Sequence, residues 1–373
     1  MTVSGRERAV ALPPSPIPVV RSGHSARRSG SRHWYHHAKE ILAGPPFQEK
    51  AFLRGIAGDA LDRLDYCVAI PARDEARRLP YALSALANTM QCASAKGAVI
   101  VVVNDTQDGS ARLAFESLVR HDLAGLVVAV DFERPIRNAA HARRLALDLA
   151  ARAAPLGCLL TTDADTTVGP DWVPRCLSEL NSGFDLVCED VMLDEAELSV
   201  LPPQVRQAGD AERAYFEACR RLWDVWTGDT SAASFLRPSG ASMAMRTDAY
   251  LSVGRLPVPD VGEDRALCDA MMAERRSVRG LANFGTRTSA RLSGRATGGC
   301  GTALAQRAAI ADPPCDERLK PIWHLREQSL RSGPLSGGES VADSLPPLRL
   351  SEVLRELAIA QKLLSTYGIR DAA

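Results

Sequence analysis

The run Ala98–Val103 is nearly all apolar and strand-sized. A short strand with no polar alternation belongs in a parallel sheet covered on both faces, where neither side of the strand meets water. Its surroundings repeat a strand–helix rhythm. Tyr66–Ile70 reads as a strand stopped by Pro71, and Leu79–Met90 as a helix with Pro80 in its first turn, where a missing N–H costs nothing. Ser110–Val119 reads as a helix, Leu126–Val130 as a strand, Asn138–Ala153 as a helix halted by Pro155, and Cys158–Thr162 as a strand. This order predicts a doubly wound, mostly parallel α/β sheet with flanking helices, in one catalytic domain over residues 60–310. In such sheets ligands bind at the carboxyl ends of the strands.

The second half is less regular. Val205–Trp226 and Asp264–Arg276 have helical spacing, Phe235–Met245 suggests a loop and then a strand, and Val278–Phe284 looks strand-like. Residues 332–347 are rich in Gly, Ser and Pro and read as a linker; Leu350–Tyr367 reads as a C-terminal helix, so 311–373 forms a linker-and-helix unit. Residues 1–55 carry nine Lys or Arg against three Glu, with clustered prolines, and predict a disordered basic extension. Ala9–Leu12 is too short for the apolar stretch of a signal peptide.

Several function classes are disfavoured. The net charge is +0, which gives no electrostatic footprint for nucleic acid. No apolar run approaches the ~18 residues of a membrane span. The nine cysteines include no Cys-x-x-Cys pair, which argues against structural zinc and for buried thiols. No Gly-x-Gly-x-x-Gly follows a strand, so a dinucleotide-binding enzyme is poorly supported.

Four motifs fall at strand ends or helix starts. Ile70-Pro71-Ala72-Arg73-Asp74-Glu75 closes the first strand, and Asn104-Asp105-Thr106-Gln107-Asp108-Gly109-Ser110 the second; each is also compatible with an ordinary turn into a helix. A carboxylate at the second place can accept from a base imide or a ribose hydroxyl. Asp163-Ala164-Asp165 follows the strand Cys158–Thr162. Alone such a pair often marks a turn, but two carboxylates at a strand's end can hold a hard cation against a diphosphate. Gly262-Glu263-Asp264 precedes a helix; a carboxylate there is either a helix cap or a base for an incoming hydroxyl. Arg143 can meet a phosphate or lie on a solvated helix face. Thr288–Arg295 contributes two arginines beside Gly298 and Gly299, in a loop able to close on a diphosphate.

Taken together, the blocks Ile70–Glu75, Val101–Ser110, Leu160–Asp165, Ser239–Ser242 and Gly262–Asp264 resemble family two glycosyltransferases of the GT-A fold, over about residues 65–300. The resemblance implies that Pro71, Ala72, Arg73 and Glu75 contact the nucleoside, that Asp105 reads the base, and that Arg143 and Ala164 lie at the nucleotide sugar. It implies Asp163 and Asp165 as the metal pair, with Asp165 the direct ligand of Mg²⁺ or Mn²⁺. It implies Asp264 as the catalytic base and Glu263 as its neighbour. Where typical members have Asp-Asp-Gly-Ser, this chain has Asn-Asp-Thr-Gln-Asp-Gly-Ser, and where they have glycines before the third helix it has Asn138-Ala139-Ala140-His141. The Gln-x-x-Arg-Trp signature of processive members is absent, so a single transfer is expected.

The expected reaction is therefore metal-dependent, inverting transfer of a sugar from a nucleotide donor to an acceptor hydroxyl on a glycan, lipid or small molecule, in the cytoplasm or at the inner membrane's face. A nucleotidyltransferase is the first rival, but Pro71–Arg78 lacks a glycine-rich phosphate loop with lysine. A non-catalytic partner-binding protein on a degenerate transferase fold is the second, and the intact acids at 163, 165 and 264 argue against it.

Overall fold

The computed structural model describes residues 25–228, 235–294, 298–331 and 345–369. The chain runs α1 (Ser25–Leu42), β1 (Ala51–Gly58), β2 (Tyr66–Ala72), α2 (Leu79–Gln91), β3 (Gly97–Asn104), α3 (Ser110–Arg120), β4 (Gly125–Phe132), α4 (Ala139–Ala153) and β5 (Cys158–Thr161). It continues through β6 (Thr166–Thr167), α5 (Trp172–Asn181), β7 (Leu186–Glu189), β8 (Met192–Leu193), α6 (Glu195–Ser199), α7 (Pro203–Thr227), β9 (Met243–Arg246), α8 (Thr247–Ser252) and α9 (Glu263–Ala273). The last elements are β10 (Val278–Leu281), β11 (Arg287–Thr288), α10 (Cys300–Ala309), α11 (Ile322–Arg331) and α12 (Leu350–Thr366).

Eight strands form one sheet in the order β1-β4-β3-β2-β5-β9-β7-β10. β4, β3, β2 and β5 are mutually parallel, as are β7 and β10; β1 and β9 run antiparallel to their neighbours. Side chains alternate between faces along each strand. Cys67 and Ala69 of β2 join a core with Trp34 of α1 and Leu145 and Leu149 of α4, whereas Tyr66, Val68 and Ile70 join a core with Leu83 of α2, Phe115 of α3 and Trp172 of α5. Both faces are thus covered, which is why β3 is apolar from Ala98 to Val103.

Two expectations change. Pro71 does not stop its strand: it pairs with Val102 inside β2. The Ala69 carbonyl accepts from Thr162 N on the β5 side, and Pro71, two residues on, faces that side after β5 has ended, so no partner needs its missing N–H. The expected disorder of residues 1–55 does not extend over residues 25–55. α1 lies within that stretch, and Trp34, Ala38 and Leu42, at i, i+4 and i+8, are buried together with Phe47. The Phe47 ring stacks on Phe132 at 6.1 Å between centroids. Residues 1–24 and most of the 332–347 linker lie outside the described residues.

The C-terminal helix packs on the chain itself. Val353, Ala360 and Leu364 of α12 share a core with Tyr215, Cys219 and Leu222 of α7 and with Leu325 of α11. All nine cysteines are free thiols. Among the described residues, no helix is long and apolar enough to cross a membrane.

Candidate active site

The loops after β2 and β3 are knitted to each other. Asp74 has φ 51°, a left-handed conformation that Asp tolerates. Its Oδ1 accepts from Gln107 N at 3.0 Å, and its own N–H donates to Thr106 Oγ1 at 3.2 Å. Glu75 N donates to Ser110 Oγ at 2.8 Å, and Ala76 N donates to Asp108 Oδ2 at 3.0 Å. These bonds fix Glu75 in the loop between β2 and α2. Arg73 Nε is buried there without a hydrogen-bond partner among the described residues.

Asp105, expected to read a base, is engaged by the chain. Its Oδ1 accepts from Phe132 N at 3.0 Å and pairs with Arg137 Nε at 3.1 Å, while Asn104 Nδ2 donates to its Oδ2 at 3.0 Å. Its side chain is only 7% exposed, and its φ of 46° is again left-handed. Its Oδ2 takes only one of these contacts and keeps a further acceptor site.

β5 delivers the acidic pair. Thr161 Oγ1 donates to Ala69 O at 2.9 Å, which fixes the strand end beside β2. Asp163 Oδ1 pairs with Arg143 Nη2 at 2.6 Å, and Asp165 Oδ2 with Arg291 Nη2 at 2.9 Å. Ala164 between them is buried. Arg291 also holds Glu75 with both of its terminal nitrogens. One guanidinium therefore ties the end of β2 to the end of β5 from a residue far along the chain. Burial, and then the charge of Asp163, push Asp165 up to about 7 despite Arg291 beside it. Thr162 Oγ1 is a second buried polar atom here without a partner among the described residues.

Arg143 lies beneath the crevice rather than on it, with a side chain 4% exposed. Besides Asp163 it donates through Nη1 to Thr161 Oγ1 at 2.9 Å and to Gly240 O at 2.7 Å, and through Nε to Glu263 Oε1 at 3.2 Å. Burial opposes its charge, but the carboxylates of Asp163 and Glu263 outweigh that and hold its pKa above the ordinary value. The structure thus leaves Arg143 no reach to a phosphate; it positions carboxylates instead.

The helix α9 starts after Gly262, whose φ of 83° suits glycine. Asp264 Oδ2 accepts from Gly240 N at 3.0 Å, and its Oδ1 from Arg265 N at 2.8 Å. Burial, and then the Glu263 charge, raise its pKa above the usual carboxylate range. Gly240 is a contact that sequence reasoning left without a role. A Cβ there would come within 2.4 Å of Arg143 Nη2, so only glycine lets the Ser239–Ser242 turn close over the guanidinium.

The site brings together Glu75, Asp163, Asp165, Glu263 and Asp264 around Arg143 and Arg291, with Arg73 and Arg78 nearby, five carboxylates to four guanidiniums. No cluster of three or more metal-ligating side chains exists among the described residues. The surplus of hard, anionic oxygens nevertheless fits a divalent cation that is completed by ligands from a phosphate substrate. Arg291, noted in the sequence only as part of a cationic loop, is the main addition; Arg295 of that loop lies outside the described residues.

No family model matches the chain, and no curated protein matches it. Among solved structures, it is similar to glucosyl-3-phosphoglycerate synthase from Mycobacterium tuberculosis bound to Mg²⁺ and UDP (13% identity, TM-score 0.39, 67% of this chain and 81% of that one). It is similar to a mannosyltransferase from Pyrobaculum calidifontis bound to GDP-mannose and Mn²⁺ (19%, 0.42, 92% and 85%). It is also similar to S. aureus TarS residues 1–349 with UDP-GlcNAc (14%, 0.43, 62% and 60%). At these scores the likenesses carry no argument of their own.

Proposed function

We propose that this chain transfers a sugar from a nucleotide-sugar donor to an acceptor hydroxyl, once per encounter and with inversion at the sugar carbon. The observation that carries this reading is that Arg143 and Arg291 gather Glu75, Asp163 and Asp165, which follow β2 and β5, together with Glu263, beside Asp264 at the start of α9. Arg73 Nε and Thr162 Oγ1 there still need partners, which a donor would supply.

In this reading Asp165 and Asp163 hold Mg²⁺ or Mn²⁺ with the donor diphosphate. The cation's chemistry is that of a Lewis acid, offsetting the charge that grows on the departing phosphate. Pro71, Ala72, Arg73 and Glu75 line the nucleoside end, and Ala164 keeps the backbone close to the donor. Asp105 is the candidate for the base. Arg143, buried between Asp163 and Glu263, sets their relative positions rather than touching the nucleotide. Asp264, whose pKa burial raises, takes the proton from the acceptor hydroxyl as the new glycosidic bond forms. A single base facing the sugar opposite the leaving group gives inversion.

Incubating the protein with a panel of nucleotide sugars and Mn²⁺, with and without EDTA, tests this by the nucleoside diphosphate released. Metal-dependent release from one donor is expected. The absence of both release and donor-induced thermal stabilisation with every donor would end the transferase reading.

A further inference from the structure

A second set of charges lies where α7, the residue after β7 and the segment leading to Gly240 meet. Arg213 of α7 pairs with one oxygen of Asp190, and Arg237 Nη1 lies 3.3 Å from the other, an ion-pair distance without a hydrogen bond. Arg307 pairs with Glu212, and Arg318 with Asp316 at 3.0 Å. Four guanidiniums thus face three carboxylates, and Asp190 alone serves two of them. The Phe216 ring lies between Arg237 and Arg318, at 5.4 and 5.2 Å from their guanidinium carbons, which orients both.

The cluster is under-satisfied. Arg213 Nε, Arg237 Nη1 and Arg307 Nε are buried nitrogens without a hydrogen-bond partner among the described residues. Burial, and the positive charge of Arg213, lower the pKa of Arg237 against the pull of Asp190. Buried donors left unpaired are costly, and a guanidinium fork with spare N–H groups matches the geometry of an oxyanion. Arg213 Nε and Arg237 Nη1 are themselves buried, but the side chains that carry them are still 35% and 26% exposed, so an anion can approach the guanidiniums from solvent. The place is beside the proposed reaction: Arg237 precedes Gly240 by three residues, which spans at most about 11 Å of chain, and Gly240 N is bonded to Asp264.

We propose that Arg213 and Arg237 form an oxyanion subsite for the acceptor, so that the molecule receiving the sugar carries a phosphate or carboxylate group. This rests on the transferase reading above. Asp190 holds the two guanidiniums in place and yields part of its double pairing to the incoming anion.

The test is calorimetric titration of inorganic phosphate, and separately of succinate, into the full-length protein at fixed ionic strength with nucleoside diphosphate and Mg²⁺ present. Arg237→Gln should weaken binding of the preferred anion by roughly tenfold or more while nucleotide affinity stays unchanged. Asp190→Asn should strengthen anion binding, because it removes the internal competitor. Tighter phosphate points to a phosphorylated acceptor and tighter succinate to a carboxylated one. Binding of neither anion, or equal binding in wild type and Arg237→Gln, overturns the subsite. Should Arg237→Gln not fold, Asp190→Asn decides, and unchanged or weaker anion binding there overturns it. Nucleoside diphosphate that fails to bind, alongside Arg237-dependent anion binding, would end the transferase reading and leave the subsite standing.

Discussion

The two halves of the molecule build the crevice in different ways. Between Tyr66 and Thr161 the loop residues Asp74 and Glu75 follow a strand end and are fixed by the neighbouring loop, through Gln107 and Ser110, some thirty-odd residues away. From Leu236 onward the groups that complete the site reach back across the fold: Arg291 to Glu75 over 216 residues, Glu263 to Arg143 over 120, and Gly240 to Arg143 over 97. The first half is a floor made by local geometry. The second half adds the Arg291 counter-charge and the proposed base, and it can do so only once tertiary packing is in place. Damage to the second half should therefore cost function without erasing the sheet.

The largest expected effect is at Asp264. Asp264→Asn should lower turnover by about 10²–10⁴-fold, roughly 3–5 kcal/mol of barrier, with nucleotide-sugar affinity retained. Steady-state kinetics beside a binding titration checks this, and unchanged turnover removes Asp264 from the role. Next is Arg291→Met, which strands the charges of Glu75 and Asp165, whose side chains are 6% and 15% exposed. Breaking a buried pair in this way costs about 3–5 kcal/mol, to be read by chemical denaturation. Because the two acids then lack their guanidinium, Mg²⁺ alone should raise the melting temperature of this variant more than that of the wild type. An equal Mg²⁺ response in both would count against a cation site at these acids.

A smaller effect is expected at the seam between the halves. Gly240→Ala puts a methyl 2.4 Å from Arg143 Nη2 and 2.5 Å from its Cζ, although the backbone there accepts any residue's geometry. Overpacking of this kind costs about 1–3 kcal/mol, and it should fall on turnover more than on donor affinity, since Arg143 and Asp264 share that turn. A variant with wild-type stability and turnover would show that the turn has room to shift.

The same contrast explains what the sequence made legible. The elements from β2 to β5 are readable because burial on both faces writes itself as unbroken apolar runs and helical periodicity. Asp163, Asp165 and Asp264 are readable because strand ends and helix starts are local features. Arg291 is not, because nothing local ties a loop arginine to Glu75. The surroundings of Arg143 and Asp105 are not legible for a related reason: both look solvent-facing until packing covers them. α1 was hidden by its Arg, Ser and His content, although the spacing of Trp34, Ala38 and Leu42 was there to be counted.

The smallest expected effect is the most specific to the junction of the halves, because it moves a pH limb without deleting the base. Asp264 must be ionised to accept a proton, and burial followed by the Glu263 charge raises its pKa. The acid limb of kcat/KM should therefore lie above the ordinary carboxylate value of about 3.9. Glu263→Gln removes the like charge and should move that limb to lower pH. A limb that stays put in Glu263→Gln would mean that another group controls it. Stability follows the same proton. A folded-state pKa above the unfolded one means that the folded protein binds the proton more tightly, so this group's contribution falls as pH rises through the folded value. Asp264→Asn abolishes that fall, so its melting temperature should gain on the wild type between acid and neutral pH. If melting and kinetics move together in this way, the residue that costs the fold its charge at neutral pH is the one that the reaction uses.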